Sequence, residues 1–256
     1  MTELGDACLA AAKAGAEVLR ERAGLPRDIH YKGRIDLVTD ADRASEEAVL
    51  RVLRERVPSA RILAEESGAS GEGEVRFIVD PLDGTTNYAH GLPLYCCTVG
   101  VEVRGVLTAG CTVDPTRGEV FFAERGKGAS LNGKPLHVSE VTLLDHALVC
   151  TGFPYGDREK LPQMVAAFGR LTETARGSRR LGSAALDLAY VAAGRLDGFW
   201  EIGLKPWDVA AGVLLVQEAF GRVTRCDGSA HSLVGGDILA CASGIWQAMV
   251  DQLRPL

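Results

Sequence analysis

The pattern of apolar segments and turn signals changes near residue 145, and this change limits the possible folds more than any other feature of the chain. From Tyr95 to Leu131, segments rich in Val, Thr, Cys and Phe are separated by short turn signals: Arg104-Gly105, Asp114-Pro115-Thr116-Arg117-Gly118 and Asn132-Gly133. Apolar segments joined by such turns predict an antiparallel meander. After residue 145, strand-like and helix-like segments alternate, which predicts an α/β arrangement of packed layers.

The remaining elements are assigned from hydrophobic periodicity and from helix start and stop signals. The first half predicts helices over 4–23 and from Thr39 to Arg56, and strands Arg61–Ala64 and Val75–Val79 around a polar loop, Ser67–Gly73. The second half predicts strands near 147–152, 176–180, 196–200, 222–225 and 238–242, and helices near 158–175, 183–193, 207–219 and 244–253. The predicted fold class is α/β, a layered α+β sandwich with αβαβα layers. It has an N-terminal antiparallel-sheet half with helices (1–145) and a C-terminal α/β half (146–256).

The charge balance argues against a nucleic-acid partner. The 256 residues carry a net charge of −6, whereas a nucleic-acid-binding surface requires a basic excess. The arginines at 176, 179 and 180 are therefore interpreted as solvated surface. An acidic protein that binds a phosphate must neutralise it locally, and a metal ion is the simplest means of doing so.

The cysteines and the apolar runs predict a cytoplasmic protein. The seven cysteines form no C-x-x-C pair, and most lie inside apolar segments, which is typical of reduced, buried thiols. The first residues carry acids and no basic region, unlike a signal peptide. No apolar run approaches the ~18 residues that suggest a membrane span. The five histidines show no metal-ligand spacing, so zinc is not expected.

The segment that carries the chemistry is Phe77-Ile-Val-Asp80-Pro81-Leu82-Asp83-Gly84-Thr85-Thr86-Asn87. It reads as a buried strand that ends in Asp80, after which Pro81 forces a bend. Two carboxylates at the end of an apolar strand repel each other and are costly to desolvate, and a divalent cation would compensate them. Oxygen ligands, including the Leu82 carbonyl, suit Mg²⁺. A helix that begins after Gly84 would offer free N–H groups to a phosphate.

Four motifs in this chain resemble the signatures of the inositol monophosphatase family of metal-dependent phosphatases. They are Leu37-Val38-Thr39-Asp40-Ala41-Asp42, Ala64-Glu65-Glu66-Ser67, Asp80-Pro81-Leu82-Asp83-Gly84-Thr85-Thr86-Asn87 and Trp207-Asp208-Val209-Ala210-Ala211-Gly212. Their order and spacing match the family from about Lys32 to Gly221. The resemblance implies Mg²⁺-dependent hydrolysis of a small phosphate monoester, with inhibition by lithium and a homodimeric assembly.

The resemblance also implies a role for each residue that matches a motif. Two to three Mg²⁺ ions would be held by Glu65, Asp80, the Leu82 carbonyl, Asp83 and Asp208. Thr85 and Glu65 would activate the attacking water, with Asp42 and Lys32 in the mobile shell around a more weakly held metal. The contacts with the substrate would come from Asp83, Gly84, Thr85, Gly182, Ser183, Ala184, Glu201 and Asp208. Ser183 stands where the family commonly has Thr and keeps the hydroxyl.

Several of these residues also have a purely structural interpretation. Asp42 lies three residues after Thr39, which is the spacing of a helix capping box. Glu201 fits an exposed acid at the end of a strand, and Lys32 fits a solvated loop lysine. Glu66 is a neighbour of the proposed ligand Glu65, and Trp207 is expected to pack rather than react.

The favoured substrate is myo-inositol monophosphate, cleaved by direct attack of a water activated by two metal ions, without a phosphoenzyme. Histidinol phosphate and fructose 1,6-bisphosphate are substrates of relatives on the same scaffold and remain alternatives. A function of a different class also remains open, because some bacterial relatives are partners of the transcription machinery. The complete set of Glu65, Asp80, Asp83, Thr85 and Asp208 favours an enzyme.

Overall fold

The computed structural model describes residues 1–24, 29–31, 37–153 and 159–254. Its first half contains α1 Glu3–Arg22, β1 Ile29–Tyr31, β2 Leu37–Thr39, α2 Asp40–Arg56, β3 Arg61–Ala64, β4 Gly68–Ser70, β5 Val75–Asp83, α3 Thr85–Ala89, β6 Cys96–Val103, β7 Val106–Asp114, β8 Glu119–Glu124, β9 Gly128–Leu131 and β10 Lys134–Pro135. Its second half contains β11 Leu148–Thr151, α4 Leu161–Thr174, β12 Gly177–Arg179, α5 Ala184–Ala192, β13 Gly198–Ile202, α6 Pro206–Glu218, β14 Arg222–Thr224, β15 Asp237–Cys241 and α7 Trp246–Leu253, with 3₁₀ turns at Leu144–His146 and Ser243–Ile245.

The predicted meander is confirmed as the centre of an eight-stranded sheet. The strand order is β10-β9-β8-β7-β6-β5-β3-β4, and β5 to β9 pair antiparallel in sequence order. The turn at 104–105 includes Arg104 at a φ of 52°, and Asn132 has a φ of 50°, as tight hairpin turns require. The predicted turns therefore set the register of the sheet.

Two predictions in this sheet are wrong. The segment Ser67–Gly73 is not only loop, because β4 within it pairs antiparallel with β3. The strand that was expected to end at Asp80 continues to Asp83, and its register against β6 shifts between Asp80 and Asp83. Pro81 cannot donate a ladder hydrogen bond, so the strand accommodates it in this irregularity and then resumes.

The second half follows the predicted alternation of strands and helices. Its five strands are ordered β12-β11-β13-β15-β14, with β11 parallel to β12 and β13 and the other pairs antiparallel. The parallel pairing of β11 and β13 places the ends of these two strands, at Thr151 and Trp200, side by side.

Three buried cores confirm the αβαβα layers. One core joins α1 and α2 to the outer face of the large sheet, and one joins α4 and α7 to the outer face of the small sheet. The third contains α5 and α6 together with residues of both sheets. Helices α5 and α6 therefore form the middle layer, and they are apolar on nearly every side because both faces are covered. The boundary between halves at residue 145 stays a prediction.

The middle layer approaches the large sheet closely at a pair of glycines. Gly100 and Gly110 lie opposite each other on β6 and β7. A Cβ on Gly110 would lie 2.8 Å from the Ala211 Cα and 3.0 Å from the Ala211 carbonyl oxygen of α6. Backbone atoms cannot move aside as a flexible side chain can, so these strand glycines permit the close packing of α6 on the sheet.

Replacement of Gly110 by Ala is therefore expected to lower the free energy of unfolding by about 1–3 kcal/mol, the usual cost of overpacking. Urea unfolding of the variant measures this change. Gly169→Ala in α4 is the matched control, because nothing lies within 4 Å of its added Cβ and Ala favours a helix by roughly 0.5–1 kcal/mol over Gly. A Gly110→Ala protein as stable as the control would contradict this account of the packing.

No helix in the described part of the chain is long and apolar enough to cross a membrane.

Candidate active site

A cavity of about 500 Å³ lies where the ends of β5, β11 and β13 meet the N-termini of α5 and α6. It brings together residues from motifs more than 140 positions apart in the chain. The sequence-predicted residues that line it are Glu65, Asp80, Leu82, Asp83, Gly84, Thr85, Gly182, Ser183, Ala184, Glu201 and Asp208. Lys32 lies outside the described residues, so its predicted role stays a prediction.

The irregular end of β5 places Asp80, Leu82 and Asp83 in the wall of this cavity. Asp80 is 2% exposed, and its Oδ1 accepts a hydrogen bond of 3.0 Å from the Leu82 N–H. Gly84 follows with a φ of 91°, and a Cβ there would lie 2.8 Å from the Leu94 carbonyl oxygen. Only glycine combines this left-handed conformation with such close packing, so Gly84 turns the chain directly from the strand into α3.

Asp83 connects the two halves of the chain. Its Oδ2 accepts hydrogen bonds from the Ser183 hydroxyl at 2.6 Å and from the Ala185 N–H at 2.7 Å, at the N-terminus of α5. A carboxylate at this position is favoured by the helix dipole. Burial nevertheless raises the pKa of Asp83, although these hydrogen bonds oppose the shift. The Ser183 hydroxyl, predicted to face the substrate, is here engaged by Asp83, and its contact with substrate stays a prediction.

Asp42 forms the predicted capping box and also contacts Thr85, the predicted catalytic threonine. Its Oδ2 accepts from the Thr39 N–H and hydroxyl, both at 2.7 Å, in the predicted capping box. Its Oδ1 lies 3.2 Å from the Thr85 hydroxyl, which also lies 3.0 Å from the Leu82 carbonyl oxygen. The single Thr85 proton is thus directed at these acceptors, which leaves the hydroxyl oxygen able to accept a hydrogen bond from water.

The carboxylates destabilise one another's charged forms. Burial raises the pKa of Asp80 well above its usual value, and the charges of Glu65, Asp83 and Asp208 raise it further. Burial raises the pKa of Asp208 to about 8, and the charge of Asp83 is the next cause. The Lys205 N–H donates to Asp208 at 2.6 Å, but this bond and the Lys205 charge do not offset the shift. The arrangement therefore favours a further positive charge.

Among the cavity-wall residues that the sequence analysis did not assign to the site, three bear on its chemistry. Asp187 is 1% exposed, and within the described residues its Oδ1 has no hydrogen-bond partner. An acid in the middle of the otherwise apolar segment 184–192 is the signal that could have found it. Arg180 is exposed, as the interpretation as solvated surface requires, but it also lines the cavity. Burial raises the pKa values of Glu201 and Asp187 well above their usual range, and the Arg180 charge opposes this shift. Gly152 gave no signal in the sequence.

Comparison with known proteins identifies the family of this chain. The profile of the inositol monophosphatase family matches residues 1–254. An inositol-1-monophosphatase from Synechocystis is 44% identical over 243 residues, covering 94% of this chain and 84% of the relative. The structure of an inositol monophosphatase from Anabaena superposes with a TM-score of 0.90 and 41% identity over 99% of this chain and 96% of that one. The chain belongs to the inositol monophosphatase family.

Another relative bears a different name. A protein from Pseudomonas aeruginosa named Nus factor SuhB is 43% identical over 233 residues, covering 89% of this chain and 86% of the relative. Membership of the family makes this chain a phosphomonoester hydrolase. The family as a whole is typically Mg²⁺-dependent and lithium-sensitive.

The family's magnesium requirement can be tested against the donor atoms of this cavity. All the assigned ligands offer carboxylate or carbonyl oxygen, which is the donor set that Mg²⁺ prefers. Over the described ranges, no three His, Cys, Asp or Glu side chains are already arranged to hold a metal ion. Carboxylates that share a cavity repel one another, which favours their separation as long as no cation lies between them. The residues fit the metal in donor type and in charge.

Proposed function

We propose that this chain is a magnesium-dependent phosphatase of small polyol phosphates, with myo-inositol monophosphate as the favoured substrate. The observation that carries the proposal is the presence of Glu201 in the same cavity as the four carboxylates Glu65, Asp80, Asp83 and Asp208. A carboxylate can accept hydrogen bonds from two neighbouring hydroxyl groups. The cavity thus combines a cation-binding wall with a wall suited to a polyol.

In this proposal, Glu65, Asp80, the Leu82 carbonyl, Asp83 and Asp208 hold two to three Mg²⁺ ions. When bound, the metal supplies a lowered pKa for water and compensation for the charge of the transition state. The side chains of the protein orient the reactants. Glu65 and Thr85 position the attacking water, Asp42 holds the Thr85 hydroxyl, and the Gly84 and Thr85 amides hold the phosphate.

The charges around Glu201, in the wall proposed to bind the polyol, favour a neutral leaving group over one that carries a second phosphate. Glu201 and Asp187 are both buried there, and among the described residues Arg180 is the cation whose charge acts on both. Within this described part of the cavity, a second phosphate, as in fructose 1,6-bisphosphate, would face two acids and one guanidinium. Histidinol phosphate is the stronger alternative, because its amine would be attracted to the same acids.

Phosphate release with Mg²⁺ from a substrate panel tests the proposal. The panel contains inositol 1-phosphate, histidinol phosphate, fructose 1,6-bisphosphate and adenosine 3′,5′-bisphosphate. A preference for inositol 1-phosphate that is lost on chelation is expected. A preference for histidinol phosphate would replace the substrate but keep the reaction, and no release from any of the four would contradict the proposed function.

Replacement of Glu201 by Gln is expected to lower kcat/KM for inositol 1-phosphate by about tenfold or more, because one of its two hydroxyl acceptors becomes a donor. Initial rates on inositol 1-phosphate and on the compact glycerol 2-phosphate measure the change, which should be smaller for glycerol. Glu140→Gln, at an exposed position, is the control. An equal loss on both substrates would assign Glu201 to folding or to metal binding instead.

A binding role toward the transcription machinery is the second candidate, and the relatives named Nus factor SuhB favour it. For the same reason, the absence of a nucleic-acid partner stays a prediction. Co-purification of tagged protein with RNA polymerase tests this role. Its absence would leave the enzyme alone.

A homodimer and a cytoplasmic location complete the proposal. The homodimer rests on the family resemblance. The location is supported by the seven cysteines, which are all free and buried, as is typical of proteins from reducing compartments.

A further inference from the structure

The glycine that follows β11 lies directly against the Glu201 carboxylate. A Cβ built on Gly152 would meet Oε1, Oε2 and the carboxyl carbon of Glu201, all closer than 3.0 Å. Real Cβ atoms essentially never show such separations. The carboxylate therefore occupies the space in which any other residue at position 152 would place its side chain.

Backbone conformation does not explain this glycine. Gly152 is not among the glycines with positive φ, so an L-residue could adopt its backbone angles. Glycine is required here for steric reasons. The three atoms nearest to a Cβ at position 152 all belong to the Glu201 carboxylate. A side chain at position 152 would be tolerated by the fold wherever the carboxylate could move away.

The pairing of the two strands fixes this contact. Thr151 lies opposite Trp200 in the parallel pair of β11 and β13, and the Thr151 hydroxyl donates to the Trp200 carbonyl oxygen at 2.7 Å. The next residues along each strand, Gly152 and Glu201, are thus held side by side at the cavity wall. The buried Thr151–Trp200 hydrogen bond joins the two strands immediately before these residues.

A Cβ at position 152 would displace the Glu201 carboxylate, which lines the cavity. Asp187 is the first of the neighbouring charges that raise the pKa of Glu201, after burial itself, so displacement toward α5 would bring two acids closer together. A side chain at position 152 would therefore push the carboxylate into the cavity, where the leaving group has to fit.

We propose that Gly152 is a positioning residue that determines specificity: its missing side chain keeps the Glu201 carboxylate in the wall, so that a ring-sized polyol fits the cavity. The inference rests on the proposed function in one respect, namely that Glu201 accepts hydrogen bonds from the leaving group. It adds a residue that the sequence motifs do not include, and it predicts that position 152 sets the size of the accepted polyol.

Gly152→Ala is the direct test, measured on inositol 1-phosphate and on glycerol 2-phosphate. We expect kcat/KM for inositol 1-phosphate to fall by about ten- to a hundredfold, mainly through KM, because displacement of a contact by about 1 Å has effects of this size. The value for glycerol 2-phosphate should change by less than about threefold, since the smaller leaving group avoids the displaced carboxylate. Gly169→Ala is the matched control and should leave both unchanged.

The combination with Glu201→Asp separates positioning from general damage. The shorter acid loses the hydroxyl contact in the wild-type background, but it makes room for a methyl group at position 152. We therefore expect Glu201→Asp to reduce activity on inositol 1-phosphate when introduced alone and to restore part of it when added to Gly152→Ala. Equal losses of Gly152→Ala on both substrates, or strictly additive effects of the two changes, would overturn the proposal.

The same four proteins distinguish this inference from the proposed function. If the wild-type protein releases no phosphate from inositol 1-phosphate, the proposed function fails as stated. The unfolding temperatures still report on the contact: Gly152→Ala should lower the temperature and the added Glu201→Asp should raise it again. Additive shifts would show that residues 152 and 201 do not compete for space, which would overturn the inference independently of the substrate.

Discussion

Replacement of Asp83 by Asn is expected to reduce phosphate release by at least about a thousandfold, beyond the ten- to hundredfold losses typical of residues that only support a metal ligand. Asp83 faces the cavity from the end of β5 and interacts with Asp80 and Asp208. Loss of its charge removes a proposed metal ligand and part of the negative potential that attracts the cation. An amide is a poor substitute, because it offers one neutral oxygen in place of two charged ones.

The chain should remain folded in this variant. The amide oxygen of Asn can still accept from the Ser183 hydroxyl and the Ala185 N–H, which are the bonds that Asp83 makes at the N-terminus of α5. The loss of a charge at a helix N-terminus costs about 0.3–1 kcal/mol, and relief of repulsion from the neighbouring carboxylates offsets it. Thermal unfolding and circular dichroism measure this.

Asp145→Asn is the matched control, because the Asp145 side chain is 71% exposed and is not among the residues that line the cavity. It should retain full activity. A folded Asp83→Asn protein with an unchanged rate would contradict the proposed mechanism. An unfolded Asp83→Asn protein would indicate that Asp83 has a structural role. Asp80→Asn would then test the metal site, because Asp80 makes no hydrogen bond to α5.

The site could be predicted from the sequence to the extent that its residues come in contiguous motifs. Asp80, Asp83 and Gly84 are informative together because two acids, a proline and a glycine after an apolar run have few structural explanations. The meander was predictable for a similar reason, since its turns depend on local residue types such as Asn132-Gly133.

The parts that escaped prediction depend on contacts between distant segments. Whether β5 stops at Pro81 is decided by β6, which offers a partner beyond the irregularity. Gly152 is explained only by a carboxylate 49 positions away, on β13. Arg180 belongs to a run of arginines that looks solvated, and its place at the cavity follows from the packing of α5. Local patterns cannot contain this information, because it arises only when segments that are distant in the chain pack together.

The metal-free protein is expected to become less stable as the pH rises from 5 to 8, by about 2 kcal/mol or more. An unfolded Asp titrates near 4, whereas burial and the charges of Asp83 and Glu65 raise the pKa of Asp208 to about 8 in the folded chain. Burial likewise raises the pKa of Asp42 to about 6, against the hydrogen bonds from Thr39. Between these values the folded state binds more protons than the unfolded state, so stability is present at low pH and is lost as the pH rises.

Magnesium should reverse this slope. Metal binding requires the deprotonated carboxylates, so its contribution to stability grows with pH and is absent when they are protonated. Unfolding temperatures measured from pH 5 to 8, with chelator and with Mg²⁺, should therefore diverge as the pH increases. Asp208→Asn should flatten the metal-free curve and reduce the separation between the two. Parallel curves in wild-type protein would mean that these carboxylates neither repel one another nor bind the ion, and the common cavity would then have to be explained without a metal.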